Sequence, residues 1–181
     1  MAKQQQPNIW VEALQTMGLS VLMAFGIRQF VAEARVVPTG SMRPTVEIND
    51  RLFIEKISYR FQTPQRGDII VFRAPQKALE AANATTGDAY LKRIIGLPGE
   101  TVEVRDGKVF IDNQPLVETY IKAPPVYTWG PSVVPEGQYL VLGDNRNGSS
   151  DGHVWGFLPG DSIIGRATAR FWPPNRVGGL E

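Results

Sequence analysis

The hydrophobic rhythm of the chain changes once, sharply, near residue 36. Before that point, from Trp10 to Phe30, apolar residues crowd together as "WVEALQTMGLSVLMAFGIRQF", and the charge-free core Met17–Ile27 is eleven residues long. At ~1.5 Å per helical residue that core covers roughly half of a ~30 Å hydrocarbon slab. Extension to Trp10 and Phe30 reaches spanning length and admits Glu12, Gln15, Arg28 and Gln29. Charges near helix ends snorkel outward, and Trp10 and Phe30 suit a membrane interface. The pattern predicts a tail over residues 1–8 and a single-pass anchor over residues 9–34. Two rival readings fit the same letters: a buried or amphipathic helix of the folded domain, and a cleavable signal peptide. For the latter, Lys3 would precede the apolar core and "AEA" at Ala32–Ala34 would supply the small-residue site. Flanking charge does not fix the orientation: Lys3 precedes the segment while Arg28, Arg35 and Arg43 follow it, which at face value favours an outside N-terminus.

Beyond Val36 the period falls to two. "RLFIEKI" (Arg51–Ile57), "GDIIVF" (Gly67–Phe72), "YLVL" (Tyr139–Leu142) and "SIIGRATARFW" (Ser162–Trp172) read as strands bounded by turn residues. "TVEVRDGKVFI" (Thr101–Ile111) sets Asp106-Gly107 between two alternating runs, a strong hairpin signal. "RAPQKALEAANATTGDA" (Arg73–Ala89) is small and polar and reads as a mobile surface loop with one helical turn at most. The architecture predicted is mainly β: an antiparallel sheet domain over residues 35–181, carried by one N-terminal transmembrane helix.

Composition then removes whole classes of function. A formal net charge of +1 gives no electrostatic footprint for nucleic acid. With no cysteine and only His153, a structural zinc site is not expected, and no cofactor is called for. A hydrolase built from this chain would need His153, a lysine or a carboxylate as its base.

The nucleophile candidate is Ser41, in "PTGSMRPT" (Pro38–Thr45). A serine alone is a weak nucleophile and requires a base. In "AYLKRIIG" (Ala89–Gly96), strand alternation puts Tyr90, Lys92 and Ile94 on one face and Leu91, Arg93 and Ile95 on the other. Arginine does not deprotonate, whereas a lysine buried beside apolar groups loses its charge readily. In "GDNRNGSSDGHVWGFLP" (Gly143–Pro159), Asp144, Asp151 and His153 imitate the acid and base of a Ser–His–Asp triad, yet the same composition suits a structured loop. On residue chemistry alone Lys92 and His153 stand about even.

Taken in order, the apolar segment, "PTGSMRPT", "RGDIIVF", "YLKRIIGLPGE" and "GDNRNGSSDGHVWGFLP" resemble type I signal peptidases, membrane-bound serine proteases that remove signal peptides from exported proteins. The resemblance implies Ser41 as nucleophile and Lys92 as general base, which settles the contest with His153. It implies Thr39 in the oxyanion hole with the Ser41 N–H, Ser149 orienting the lysine, Asp151 supporting the nearby loop, and Asp144 and Arg146 as structural. It further implies preprotein substrates of Ala-x-Ala type, bound as an added strand beside Val36–Pro38 and the Lys92 strand. Val37 and Leu91 are the candidate pocket walls. Partners are signal peptides and the lipid bilayer. Three positions depart from the familiar pattern: Thr39 replaces a serine, Gly152 a serine and His153 an arginine. The ending "S-x-D-x-H-V-W-G" is similar to the cyanobacterial and chloroplast branch, so the location expected is a plasma or thylakoid membrane with the catalytic domain on the extracytoplasmic side.

"YTWGPSVV" (Tyr127–Val134) reads either as a loop dipping into the bilayer surface or as ordinary core packing. Two alternative functions carry small weight. A self-cleaving Ser–Lys regulator would need an N-terminal helix-turn-helix that the apolar segment does not resemble. A non-catalytic anchored module binding extended peptides would need neither Ser41 nor Lys92.

Overall fold

The computed structural model describes residues 8–82 and 89–180. Helix α1 (Ile9–Phe30) opens with Asn8 as N-cap, its side chain accepting from Trp10 N–H, and buries none of its residues against the rest of the protein. The Thr16 and Ser20 hydroxyls donate to carbonyls one turn back, so neither polar group is left bare on an apolar rod. Among the described residues α1 is the one helix long and apolar enough to cross a membrane. It ends four residues before the expected anchor boundary. Ala32, Glu33 and Ala34, expected to close the anchor, instead begin strand β1 (Ala32–Val36). The physical reason is a partner: each residue of β1 has an antiparallel neighbour in β2 (Arg51–Glu55), and Glu33 is ion-paired to Lys56 at 2.7 Å.

The chain continues through β3 (Ile69–Arg73), α2 (Gln76–Ala82), β4 (Ala89–Gly96), β5 (Thr101–Arg105), β6 (Lys108–Ile111) and β7 (Gln114–Pro115). Then follow β8 (Trp129–Val133), β9 (Gln138–Leu142), α3 (Gly152–Trp155), β10 (Leu158–Pro159), β11 (Ile163–Trp172) and β12 (Gly178–Gly179). The large sheet has the order β1-β2-β11-β3-β4-β9-β10 with β12 on β11; the smaller is β7-β6-β5-β8. All the strand pairs are antiparallel.

The expected hairpin turns at Asp106 and Gly107, both at positive φ (52° and 72°), as a two-residue turn matching strand twist requires. Two segments behave differently from their composition. Part of the expected loop after Arg73 is helix α2, held because Ala78 and Leu79 are buried; residues 83–88 of that loop, like residues 1–7 of the tail, lie outside the described residues. Trp129–Val133 is a strand paired to β5, with Trp129 edge-on to Phe157 at 5.9 Å and Tyr127 stacked on His153, so both half-buried aromatics take part in internal packing.

The element that positions the site is β3. Its residues Ile69–Phe72 are buried on both faces: Ile69 and Val71 join Met42, Val46 and Leu52, while Ile70 and Phe72 join Val141, Trp155 and Leu158. Strand β4 lies beside it in register, Lys92 opposite Ile70 and Arg93 opposite Ile69. Two consecutive cations are thus carried into the interior on opposite faces, at 4% and 1% exposure. Each then needs its own means of tolerating burial.

Candidate active site

Arg93 is neutralised. Its guanidinium makes a two-pronged pair with the fully buried Asp144 at 2.9 and 2.8 Å, donates to Gly67 C=O at 2.8 Å, and lies 4.0 Å from the Tyr120 ring centre. Asp144 also accepts from Thr45 Oγ1 at 2.5 Å. One carboxylate therefore joins β4, the Gly143–Pro159 segment and the turn that carries Ser41. Arg146 is buried in the same way by Glu118 and by Gly143 C=O.

Among the described residues Lys92 has no carboxylate partner within ion-pair distance. Its Nζ lies 2.8 Å from Ser41 Oγ. Burial pushes the ammonium from the usual 10.5 down to about 8, against the pull of Asp151 and Asp144, which favour the charged form. At pH 7 roughly a tenth of the group is then the free amine, the form able to accept a proton from the hydroxyl beside it.

The Ser41 turn is fixed from both ends. Met42 and Val46, both essentially fully buried, plug it into the core, with Val46 N–H donating to Met42 C=O. Asn145 clips its other side: its N–H donates to Ser41 C=O at 3.0 Å and its side-chain amide to Gly40 C=O at 3.1 Å. Thr39 Oγ1 stands 3.4 Å from Ser41 Oγ. The Ser41 N–H takes no protein acceptor among the described residues, which leaves it with Thr39 as a pair of donors beside the hydroxyl.

Ser41 and Lys92 open onto a cleft of about 630 Å³ whose walls include Val36, Val37, Leu52, Ile54, Val71 and Leu91. Val37 and Leu91, expected as wall residues, both line it. On one side lies β4, whose residues Ala89–Arg93 pair with β3 and whose pairing with β9 begins at Arg93. Ser150 Oγ, buried without a hydrogen-bond partner, belongs to a residue of the same wall.

A profile of the family described as "Signal peptidase, peptidase S26" matches residues 10–172. The chain belongs to this family. Signal peptidase I of Leptolyngbya laminosa is 59% identical over 94% of this chain and 83% of its own. Probable signal peptidase I-2 of Synechocystis is 56% identical over 97% of this chain and 80% of its own. Thylakoidal processing peptidase 1 of Arabidopsis thaliana is 41% identical over 87% of this chain, which spans 47% of that longer protein.

Within this signal peptidase fold the structure places the remaining expected residues as follows. Asp151 is fully buried, caps α3, and accepts from Gly143 N–H at 2.8 Å and from His153 N–H at 3.2 Å. His153 turns its Nδ1 to Asp151 at 2.7 Å and stacks its ring on Tyr127 at 4.0 Å. It is not among the hydrogen-bond partners of Ser41. The bond expected from Ser149 to Lys92 is not formed: Ser149 Oγ is buried without a hydrogen-bond partner. It packs instead against Gly143, where an added Cβ would come within 2.6 Å of Ser149 Cβ and 2.5 Å of Ser41 C=O. Side-chain volume at residue 143 would have to come out of the space that Ser41 and Ser149 share.

Sequence reasoning missed Asn145 and Gly143. The signal was present in "GDN", since a buried turn following an apolar strand must satisfy its own carbonyls and those it faces. Nothing local says which distant carbonyls those are.

Proposed function

We propose that this chain is a membrane-anchored serine endopeptidase that removes signal peptides from exported preproteins. Neutral Lys92 takes the Ser41 proton as Ser41 Oγ attacks the carbonyl carbon before the scissile bond. Thr39 Oγ1 and the Ser41 N–H stabilise the resulting oxyanion; donors of this kind are typically worth on the order of 10²–10³ in rate each. Lys92, now an ammonium, returns the proton to the departing amine. A water molecule, deprotonated by the regenerated Lys92 amine, then hydrolyses the acyl-enzyme and frees Ser41. The observation that carries this reading is the 2.8 Å approach of Lys92 Nζ, buried and with its pKa lowered to about 8, to Ser41 Oγ.

The facing cleft walls at Val36–Pro38 and Ala89–Lys92 support binding of the substrate as an extended strand. Val37 and Leu91 confine the small side chains of an Ala-x-Ala site. Residues 9–30 serve as the anchor and the sheet domain from residue 32 onward as the catalytic unit. Its location is a plasma or thylakoid membrane, the latter supported by the name of the thylakoidal relative, with the catalytic domain on the extracytoplasmic side, where preproteins emerge. The histidine assigned above to an alternative triad acts on Asp151 and not on Ser41. Incubation of the detergent-purified chain with a preprotein carrying an Ala-x-Ala site tests the reading. The product is expected to begin immediately after the second alanine; an intact preprotein, or cuts scattered along the chain, would overturn it.

A further inference from the structure

At the foot of α1 lies a second cleft, of about 440 Å³, separate from the one at Ser41 except for the shared Arg35. Its walls hold four cations, Arg35, Lys56, Arg60 and Arg73, and one carboxylate, Glu33, which leaves three positive charges in excess. Glu33 is committed to Lys56 and Arg35. Arg73 donates to the Asp161 carbonyl at 2.9 Å, and Arg60 lies 5.7 Å from the Phe30 ring centre. Neither pairs with a carboxylate among the described residues. The cleft is tied to the end of the helix: Gln29 is in its wall, and Lys56 Nζ donates to Arg28 C=O at 3.1 Å. Beside it the chain exposes apolar side chains where a soluble surface has no use for them, Phe61 at 82%, Phe30 at 54% and Ile57 at 39%.

We infer that this cleft binds the headgroup of an anionic lipid, with Arg60 and Arg73 as the principal donors to its phosphate or sulfonate. Guanidinium groups match the oxygens of such anions with paired N–H donors. The apolar residues around the rim fit a lipid better than a free anion, because they meet acyl chains at the level where α1 leaves the bilayer. A lipid held here also fixes the tilt of the domain on the membrane, since the cleft joins the helix end to β1 and β3. The inference rests on α1 being a membrane anchor.

The full-length chain is first floated on phosphatidylcholine vesicles and washed with alkaline carbonate. It is expected to stay with them; loss to the wash overturns the anchor and this inference together. Chain taken from vesicles of equal phosphatidylcholine and phosphatidylglycerol is then stripped in detergent, and the lipid retained is weighed by native mass spectrometry. Wild type is expected to retain phosphatidylglycerol at least tenfold over phosphatidylcholine. Arg60→Gln and Arg73→Gln, both at exposed positions, are each expected to reduce that enrichment about fivefold, the factor for roughly 1 kcal/mol per basic residue near an anionic surface. Lys108→Gln, exposed on the distant hairpin, is expected to leave it unchanged. No enrichment in wild type, or equal loss in all three variants, overturns the site while leaving the anchor standing. Displacement of the lipid by millimolar inorganic phosphate would mark a free-anion site and overturns the lipid assignment.

Discussion

In the proposed mechanism a single lysine amine carries the chemistry, and its environment makes two outcomes measurable. Because Lys92 must be neutral to accept the Ser41 proton, kcat/KM is expected to rise with pH along a limb whose midpoint is near 8. A midpoint near pH 6.5 would point instead to histidine. Stability follows with a definite sign. The folded state holds Lys92 at about 8 and the unfolded chain near 10.5, so between those values the unfolded chain binds more protons and stability rises with pH. Below pH 8 the burial cost is fully present, at most about 3 kcal/mol. Lys92→Met is therefore expected to abolish cleavage yet raise the melting temperature at pH 7, and to remove the rise between pH 8 and 10. Equal or lower stability in calorimetry would contradict this. Much of this residue-level account was legible in advance: strand alternation already isolated Lys92 as the only cation of its segment able to deprotonate. The choice between Lys92 and His153 was legible only through the family resemblance and not in residue chemistry, because it depends on which side chain a distant turn approaches. The role of Gly143 was equally hidden, being a matter of space and not of unusual φ. Gly143→Ala is expected to displace Ser41 and lower kcat by roughly 10² through misplacement, with little change in KM; a near-normal kcat would show that the turn adapts.

At the scale of elements, the decisive feature is the two-sided burial of β3, which forces β4 beside it to bury both of its cations. Asp144 then becomes the joint between β4 and the Ser41 turn. Removing one partner of such a pair leaves a buried charge without compensation and costs ~3–5 kcal/mol. Asp144→Asn is expected to lower the melting temperature by roughly 10 °C and activity with it; a loss of activity with unchanged melting would assign Asp144 to chemistry. Strands with clean alternation and Gly or Asp at their ends were readable. Strands β1 and β8 were not, for different reasons. "AEARV" is too short and mixed to show a period and takes its conformation from β2. "WGPSV" contains Gly130 at φ 79° and a proline, which break the alternation a strand normally displays. Helix α2 forms in a polar stretch because two small apolar residues find a core, a tertiary effect that propensity does not carry.

For the whole molecule, α1 is joined to the sheet domain by little: none of its residues is buried there, and its ties include the Lys56–Arg28 hydrogen bond and the Arg60–Phe30 contact. A chain starting at Gln29 retains Val31, whose carbonyl accepts from Lys56 N–H, and the whole of β1. It is expected to melt within a degree or two of the full-length protein while losing its hold on vesicles. A large drop in melting temperature would mean that α1 is part of the folded core. This slight contact explains why the long apolar helix and the mainly β class could be read from patterning alone, whereas the curl that brings residue 41 to residue 92 could not.

The most direct test of the central claim is cleavage of one Ala-x-Ala preprotein by wild type, Ser41→Ala, Lys92→Ala and His153→Ala, with folding of each checked by its melting curve. The account predicts that the first two variants are folded and inactive, while His153→Ala keeps most of its activity. Cleavage by Lys92→Ala together with an inactive, folded His153→Ala would contradict it.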